Sequence, residues 1–134
     1  MKREIKFRAY SSNNHKMYPV SNIEWDIDGR IWVTADDGKN GIELIDEEAH
    51  LMQFTGLHDK NGREIYEGDI IVTHPKSRYE APKSGVVQFG GSCPSFEYKT
   101  EDREEYDIWS SNAYRTYEVI GNIFEDKQLL EGKQ

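Results

Sequence analysis

Two stretches of alternating apolar and polar residues, separated by an Asp-Gly pair, constrain the fold of this sequence most. Every second residue is apolar over residues 23–27 and again over residues 31–35, and Asp28-Gly29 lies between them. A side-chain period of two is the period of a β-strand with one buried face. An Asp-Gly loop of two residues favours a type I′ turn, because both positions take positive φ. The pattern therefore predicts a β-hairpin closed by Asp28-Gly29.

Short apolar runs of the same kind continue along the rest of the chain. They cover residues 42–45, 51–55, 65–66, 70–74, 85–89, 96–98 and 116–124. Many short strands at close spacing predict a mainly β chain of antiparallel strands, at the margin of the α+β class, and not a parallel βαβ sheet. Residues 46–50 predict one helical turn, and near the end of the chain residues 126–130 predict a short C-terminal helix.

Glycines mark the predicted turns and one break in a strand. Residues 36–41 form a turn-rich loop, and Gly90-Gly91 predicts a hairpin turn. Gly121 stands alone inside the run over residues 116–124. An isolated glycine in a strand predicts a bulge, a bend or the close approach of another backbone.

The length of 134 residues fits a single domain, 1–134. A boundary at residues 46–50 divides it into two candidate subdomains, a β meander over 1–48 and a small barrel over 49–134. In the second of these, Gly68-Asp69 precedes a β-branched run, and residues 85–89 form the next strand. That layout is similar to SH3-like barrels, an analogy of pattern that carries little information on function.

Composition favours a folded cytoplasmic protein. Aromatic residues make up 12% of the chain, which argues against disorder. Cys93 is the single cysteine, so no disulfide forms within the chain and a secreted disulfide scaffold is not expected. No apolar run approaches the roughly 20 residues of a membrane span, and the basic N-terminus has no apolar segment typical of a signal peptide.

A net charge of −8 makes a nucleic-acid partner unlikely, because phosphate binding needs a basic face. Acidic residues cluster at 43–48 and 101–107 and favour solubility. Two alternatives stay open. The weakly basic N-terminal strand and an SH3-like barrel would suit a nucleic-acid-associated module, and acids arrayed on one face would suit a protein that mimics DNA.

Three blocks of the sequence resemble the YopX family. They are residues 5–10, residues 51–70, of which nearly every position fits the family's central signature, and residues 117–125. The family occurs in bacteriophages and integrated prophages, and the resemblance implies a phage or prophage accessory protein. It implies no catalytic residues, because no biochemical activity is established for the family.

The residue patterns predict neither an enzyme nor a metal or cofactor site. The histidines have none of the spacings of zinc sites; they are His15, His50, His58 and His74. Cys93 has no basic or histidine neighbour in sequence that would activate its thiol. Glu67 and Asp69 flank Gly68, which is compatible with an acid–base or metal pair. A glycine turn with Asp69 capping main-chain amides is the favoured interpretation.

We expect a protein partner or self-association, through side chains displayed beside the loop within residues 51–70. Loops on a rigid β frame often carry binding residues. The candidates within residues 51–70 are Thr55, Asp59, Lys60, Tyr66 and Asp69. Trp32, on the outer face of the predicted hairpin, and Trp109 are further candidates, because tryptophan is frequent at interface hot spots.

Overall fold

A computed structural model describes residues 5–36, 41–89, 95–108, 115–126 and 128–131. Over these residues the chain is mainly β, with eleven strands in antiparallel sheets, as the sequence predicts. The chain separates into two compact units, Met1–Phe54 and Thr55–Gln134. The change between them falls inside a strand, just beyond the boundary expected at residues 46–50.

The first unit contains four strands and the first part of a fifth. They are β1 (Phe7–Ser11), β2 (Lys16–Trp25), β3 (Ile31–Asp36), β4 (Gly41–Ile45) and β5 (Ala49–His58). The strand order is β4-β3-β2-β1-β5 and each pair is antiparallel, so that β1 to β4 form a meander. Alternation places Ala9, Val33 and Leu44 in the core of this unit, where each is at most 1% exposed.

The hairpin predicted from the alternating runs is confirmed, with a different turn. β2 pairs with β3 in a register that puts Ile23 opposite Val33. The loop is the five-residue segment 26–30, here named the Asp26 turn, in which the Asp26 amide donates to the Arg30 carbonyl at 3.0 Å. Gly29 has φ +84°, whereas Asp28 has no positive φ, so the predicted type I′ turn is wrong.

The second unit takes the remainder of β5 and adds six strands. They are β6 (Glu64–Tyr66), β7 (Asp69–Pro75), β8 (Ser84–Phe89), β9 (Phe96–Thr100), β10 (Glu105–Asp107) and β11 (Arg115–Asn122). β6 is the neighbour of β5, and the other five strands form a sheet of order β10-β9-β8-β7-β11. Ile71, Val87, Tyr98, Tyr117 and Val119 from this sheet are buried in one cluster.

Two finer expectations for this unit are not confirmed. The five-stranded sheet is open among the residues described, with β10 and β11 as its two edges, so it is not a closed SH3-like barrel. The C-terminal helix is described only as a single turn, α1 (Gln128–Glu131). No helix in the described part of the chain is long and apolar enough to cross a membrane.

The isolated glycine of the last strand lies at a β-bulge, as the sequence predicts. The register of β11 against β7 shifts between Val119 and Gly121. A Cβ added at Gly121 would lie 2.7 Å from the Asp126 carboxyl group, whose Oδ2 accepts a hydrogen bond from the Asn122 amide at 3.0 Å. The Gly90-Gly91 turn, Cys93, Trp109 and residues 37–40 of the predicted loop lie outside the described residues.

Substituting Gly85→Ala should destabilise the second unit. The new Cβ would lie 2.7 Å from the Lys99 carbonyl oxygen, which is fixed by the pairing of β8 with β9. Because main chain cannot move aside cheaply, we expect the free energy of unfolding to fall by about 1–3 kcal/mol in urea denaturation.

Gly41→Ala is the matched control, because its Cβ would meet no atom of the described residues closer than 3.8 Å. It should change the free energy of unfolding by less than about 0.5 kcal/mol. Equal losses for the two variants would contradict the packing argument.

Candidate functional site

Residues 51–70, here named the central block, run through β5 and β6 to the start of β7. Thr55 lies in β5 and its hydroxyl donates to the Ile65 carbonyl at 2.8 Å. The same oxygen accepts a hydrogen bond from the Leu57 amide at 3.1 Å. The Thr55 side chain therefore fastens β5 to β6.

Asp59 opens a five-residue turn over residues 59–63, here named the Asp59 turn. Its Oδ1 accepts hydrogen bonds from the amides of Asn61 at 2.8 Å and Arg63 at 2.9 Å. Gly62 supplies φ +85°, and its amide donates to the Asp59 carbonyl at 3.0 Å. A short carboxylate that accepts from amides two and four residues ahead makes this turn stable by itself.

The Asp59 turn also closes the open edge of β11. Val119 donates its amide to Asp59 Oδ2 at 2.9 Å, and the Lys60 amide donates to the Tyr117 carbonyl at 2.8 Å. Arg63 adds a bond from Nη1 to the Val119 carbonyl at 3.3 Å. These main-chain groups of β11 would otherwise be available for pairing with another strand. The turn therefore covers this sheet edge, and in this sense it guards the edge against further pairing.

Two opposing effects set the charge of Asp59. Burial raises the pKa of this carboxyl group, but the amides of Val119, Arg63 and Asn61 and the Arg63 charge lower it further than burial raises it. The resulting pKa lies below the ordinary value for aspartate. Asp59, only 7% exposed, is therefore ionised at neutral pH.

Asp69 has a similar role at the entry to β7. It is 1% exposed, and its Oδ2 accepts a hydrogen bond from the Tyr66 amide at 2.8 Å. Gly68 between them has φ +84° and its amide donates to the Val87 carbonyl at 2.8 Å. The reading of this segment as a glycine turn capped by Asp69 is thus confirmed. Tyr66 itself bonds through its hydroxyl to Glu64 at 3.0 Å.

The predicted binding residues of the central block differ in exposure. Lys60 is exposed, Thr55 and Tyr66 are half-buried, and Asp59 and Asp69 are buried. Both buried carboxylates accept hydrogen bonds from main-chain amides, so they stabilise the fold. A binding role for the five residues stays a prediction.

Trp32 belongs to the first unit and lies on the outer face of the β2–β3 hairpin, as predicted. It is the neighbour of Val33, which is buried, and it pairs with Ile45, which is 39% exposed. Its indole Nε1 donates to Asp26 Oδ2 at 3.2 Å. That bond, with further bonds from Arg30 and Asp28, lowers the pKa of Asp26.

The second unit contains a cleft that the sequence analysis did not predict. It lies on the face of the five-stranded sheet opposite the buried cluster and has a volume of about 460 Å³. The apolar floor of the cleft consists of Ile70, Val72, Val86, Ile120 and Leu129. Ile70 is almost fully buried, while Ile120 at the border is 38% exposed.

Polar side chains surround this floor. Ser84, Gln88, Lys99 and Glu101 lie at the rim of the cleft. Gln88 is held by a bond to Glu97 at 2.9 Å. An apolar floor with a few polar groups, in a volume within the roughly 300–1,000 Å³ typical of ligand pockets, suits an apolar side chain or small molecule.

A sequence signal for the cleft exists in β7. Ile70, Ile71 and Val72 are apolar at successive positions. Because neighbouring residues of a strand point to opposite faces, such a run makes both faces of the sheet apolar. Ile71 joins the buried cluster, and Ile70 and Val72 are left for the cleft. Among the described residues, no three His, Cys, Asp or Glu side chains are grouped as a metal site.

Comparison with known proteins gives a family match and similar solved structures. The model of a family described as "YopX protein" matches residues 6–131. The fold is similar to protein EF1440 from Enterococcus faecalis, with TM-score 0.63, 28% identity and coverage of 96% of this chain and 99% of that one. It is similar to YopX from Bacillus subtilis, with TM-score 0.67, 20% identity and coverage of 96% and 98%. No curated protein matches significantly.

Substituting Asp59→Asn should weaken the second unit and change its response to acid. An amide side chain offers one acceptor oxygen in place of two. We therefore expect the free energy of unfolding at pH 7 to fall by about 1.5–3 kcal/mol. Since the folded pKa is lowered, the contribution of Asp59 is complete above its unfolded pKa of about 3.9 and is lost as pH falls through the folded pKa. Urea denaturation between pH 7 and pH 3 measures both effects.

Asp26→Asn provides the control, because the Asp26 turn has the same internal bonds but guards no strand edge. Asp26→Asn should lower the free energy of unfolding at pH 7 by less than Asp59→Asn does. Stability curves of wild type and Asp59→Asn that stay parallel below pH 5 would contradict the assignment of the ionised carboxylate to this bond.

Proposed function

Because the chain belongs to the YopX family, whose model covers residues 6–131, we propose that it is a non-enzymatic protein that works by binding another protein or by self-association. The cleft of the second unit is the proposed contact surface. Its apolar floor is the observation that carries this proposal. A side chain of the partner would fill the cleft, and the polar rim would fix its orientation.

The composition of the cleft supports a protein partner. Protein interfaces bury an apolar centre inside a polar border, and a few anchoring side chains contribute most of the affinity. Here Ile70 and Val86 supply the centre, and Lys99 and Glu101 supply charges of both signs at the border. A polar border with both charges suits a polypeptide better than it suits nucleic acid.

The guarded edge of β11 supports the face of the sheet as the contact surface. Strand addition is a common way for proteins to bind peptides, but it needs free main-chain groups at a sheet edge. On β11 the Asp59 turn occupies the groups of Tyr117 and Val119. Strand addition at this edge is therefore disfavoured, which supports contact through side chains of the face.

The proposed setting is the cytoplasm of a bacterium that carries the phage or prophage. The family resemblance supports the phage or prophage origin. A single cysteine in 134 residues supports a reducing compartment. In this setting the protein acts as an accessory protein of the phage.

Substituting Ile120→Lys should weaken partner binding. The side chain is 38% exposed at the cleft border, so the fold tolerates lysine while the apolar cleft receives a charge. We expect affinity to fall by roughly 10-fold or more, as for loss of an interface hot spot. Light scattering over a concentration series measures self-association, and pull-down from a Bacillus subtilis lysate measures capture of another protein.

Ile45→Lys is the control, because Ile45 is 39% exposed and lies on β4 of the first unit. It makes the same change in charge and should leave binding intact. A monomeric wild type that captures nothing, or equal effects of the two lysines, would refute the proposal.

A further inference from the structure

One five-residue motif, Asp-x-Asp/Asn-Gly-Arg, occurs in both units, as the Asp26 turn and as the Asp59 turn. In each turn the Asp amide donates to the Arg carbonyl, at 3.0 and 2.7 Å, and the Gly amide donates to the Asp carbonyl at 3.0 Å. One carboxylate oxygen accepts from the third and fifth amides at 2.8–2.9 Å. The glycines have φ +84° and +85°. The two turns are the same local structure.

The internal bonds of such a turn leave three groups for external contacts. They are the second carboxylate oxygen, the amide of the second residue and the guanidinium of the arginine. In the Asp59 turn these groups bind β11, at the Val119 amide, the Tyr117 carbonyl and the Val119 carbonyl. In an extended strand, a residue k and the residue two positions later, k+2, present their main-chain groups on the same side. The three groups of the turn match the carbonyl of residue k and the amide and carbonyl of residue k+2.

In the Asp26 turn the corresponding amide and guanidinium lie at the surface of the first unit, whereas the second carboxylate oxygen bonds within that unit. Ile27 is fully exposed, and its amide donates to no acceptor among the residues that the structure describes. The Arg30 side chain is 54% exposed. The second oxygen of Asp26 accepts from Arg30 Nε at 3.0 Å and from the Trp32 indole at 3.2 Å.

We propose that the Asp26 turn binds the open strand edge of another protein chain, in the way that the Asp59 turn binds β11. The Ile27 amide donates to the carbonyl of residue k of the bound strand. The carboxylate of Asp26 accepts the amide of residue k+2, and Arg30 donates to the carbonyl of that residue.

Two features of the Asp26 turn favour this contact. Arg30 exchanges an exposed ion pair for the strand carbonyl, and exposed ion pairs contribute little to stability. Trp25, which is 67% exposed, and Ile27 add apolar surface beside the turn that the side chains of an extended strand can cover. This surface is built from residues other than those of the cleft, so it stands independently of the function proposed above.

A peptide with the sequence of β11, residues 115–122, acetylated and amidated at its ends, is the probe. This is the strand that the Asp59 turn binds, so its main chain fits the motif. Titrated into the full ¹⁵N-labelled chain, it should give saturable NMR shifts at the Ile27 and Arg30 amides and at the Trp32 indole. A peptide N-methylated at its valine lacks the amide that meets Asp26 and should bind more weakly.

Ile27→Pro and Ile27→Ala separate the amide from the side chain. Proline removes the second-residue amide, for which the described residues contain no acceptor, and its fixed φ suits the second position of a turn. We expect Ile27→Pro to weaken peptide binding by roughly 3- to 10-fold relative to Ile27→Ala, the loss of one hydrogen bond. Equal melting temperatures of the two variants confirm that both are folded.

Three results would overturn the proposal. They are the absence of saturable shifts at the solubility limit of the peptide, shifts confined to Lys60 and β11, which indicate exchange with the chain's own strand, and equal affinity of the two Ile27 variants. Ile120→Lys should bind the peptide as wild type does, which separates this result from the test of the cleft.

Discussion

The hydrogen bond from the Val119 amide to the Asp59 carboxylate is the contact on which the second unit depends. β11 ends the five-stranded sheet, and an unguarded edge would offer its main chain to other strands. The guard is a buried charge, and a buried charge is tolerated only when its hydrogen bonds are complete. The amides of Asn61 and Arg63 complete them from within the turn. The turn therefore covers the edge of β11, and the Val119 amide supplies a further hydrogen bond to the buried carboxylate.

This dependence explains what the family signature specifies. The polar residues of the central block, Thr55, Asp59 and Asp69, bind main-chain groups and so determine how β5, β6, β7 and β11 are arranged. A signature of this type specifies a scaffold. The rim residues Ser84 and Gln88 of the cleft lie outside the three blocks of resemblance. Ile70 and Ile120 of the cleft floor lie inside these blocks, so membership of the YopX family carries the architecture and part of the proposed contact surface.

The sequence predicts local features of the fold well and contacts between distant residues poorly. Alternation over residues 23–35 predicts the hairpin, and the lone Gly121 predicts the bulge. The turn type is wrong because the rule for Asp-Gly loops considers two residues, whereas the Asp26 carboxylate organises five through the amides of Asp28 and Arg30. The burial of Asp59 depends on Val119, sixty residues away. The cleft depends on which strands are neighbours, which alternation alone does not determine.

The two Asp-x-Asp/Asn-Gly-Arg turns show where local chemistry stops determining function. Their internal bonds are the same, but the remaining oxygen of Asp59 meets a main-chain amide and that of Asp26 meets the Trp32 indole. A strand edge offers several main-chain groups in succession, so the Asp59 turn makes further hydrogen bonds to β11 and becomes part of the sheet. An indole N–H is a single donor. The Asp26 turn therefore makes no series of bonds of this kind, and its second-residue amide stays at the surface. The same five-residue motif thus completes the sheet of the second unit, whereas in the first unit it leaves the surface to which we propose that another chain binds.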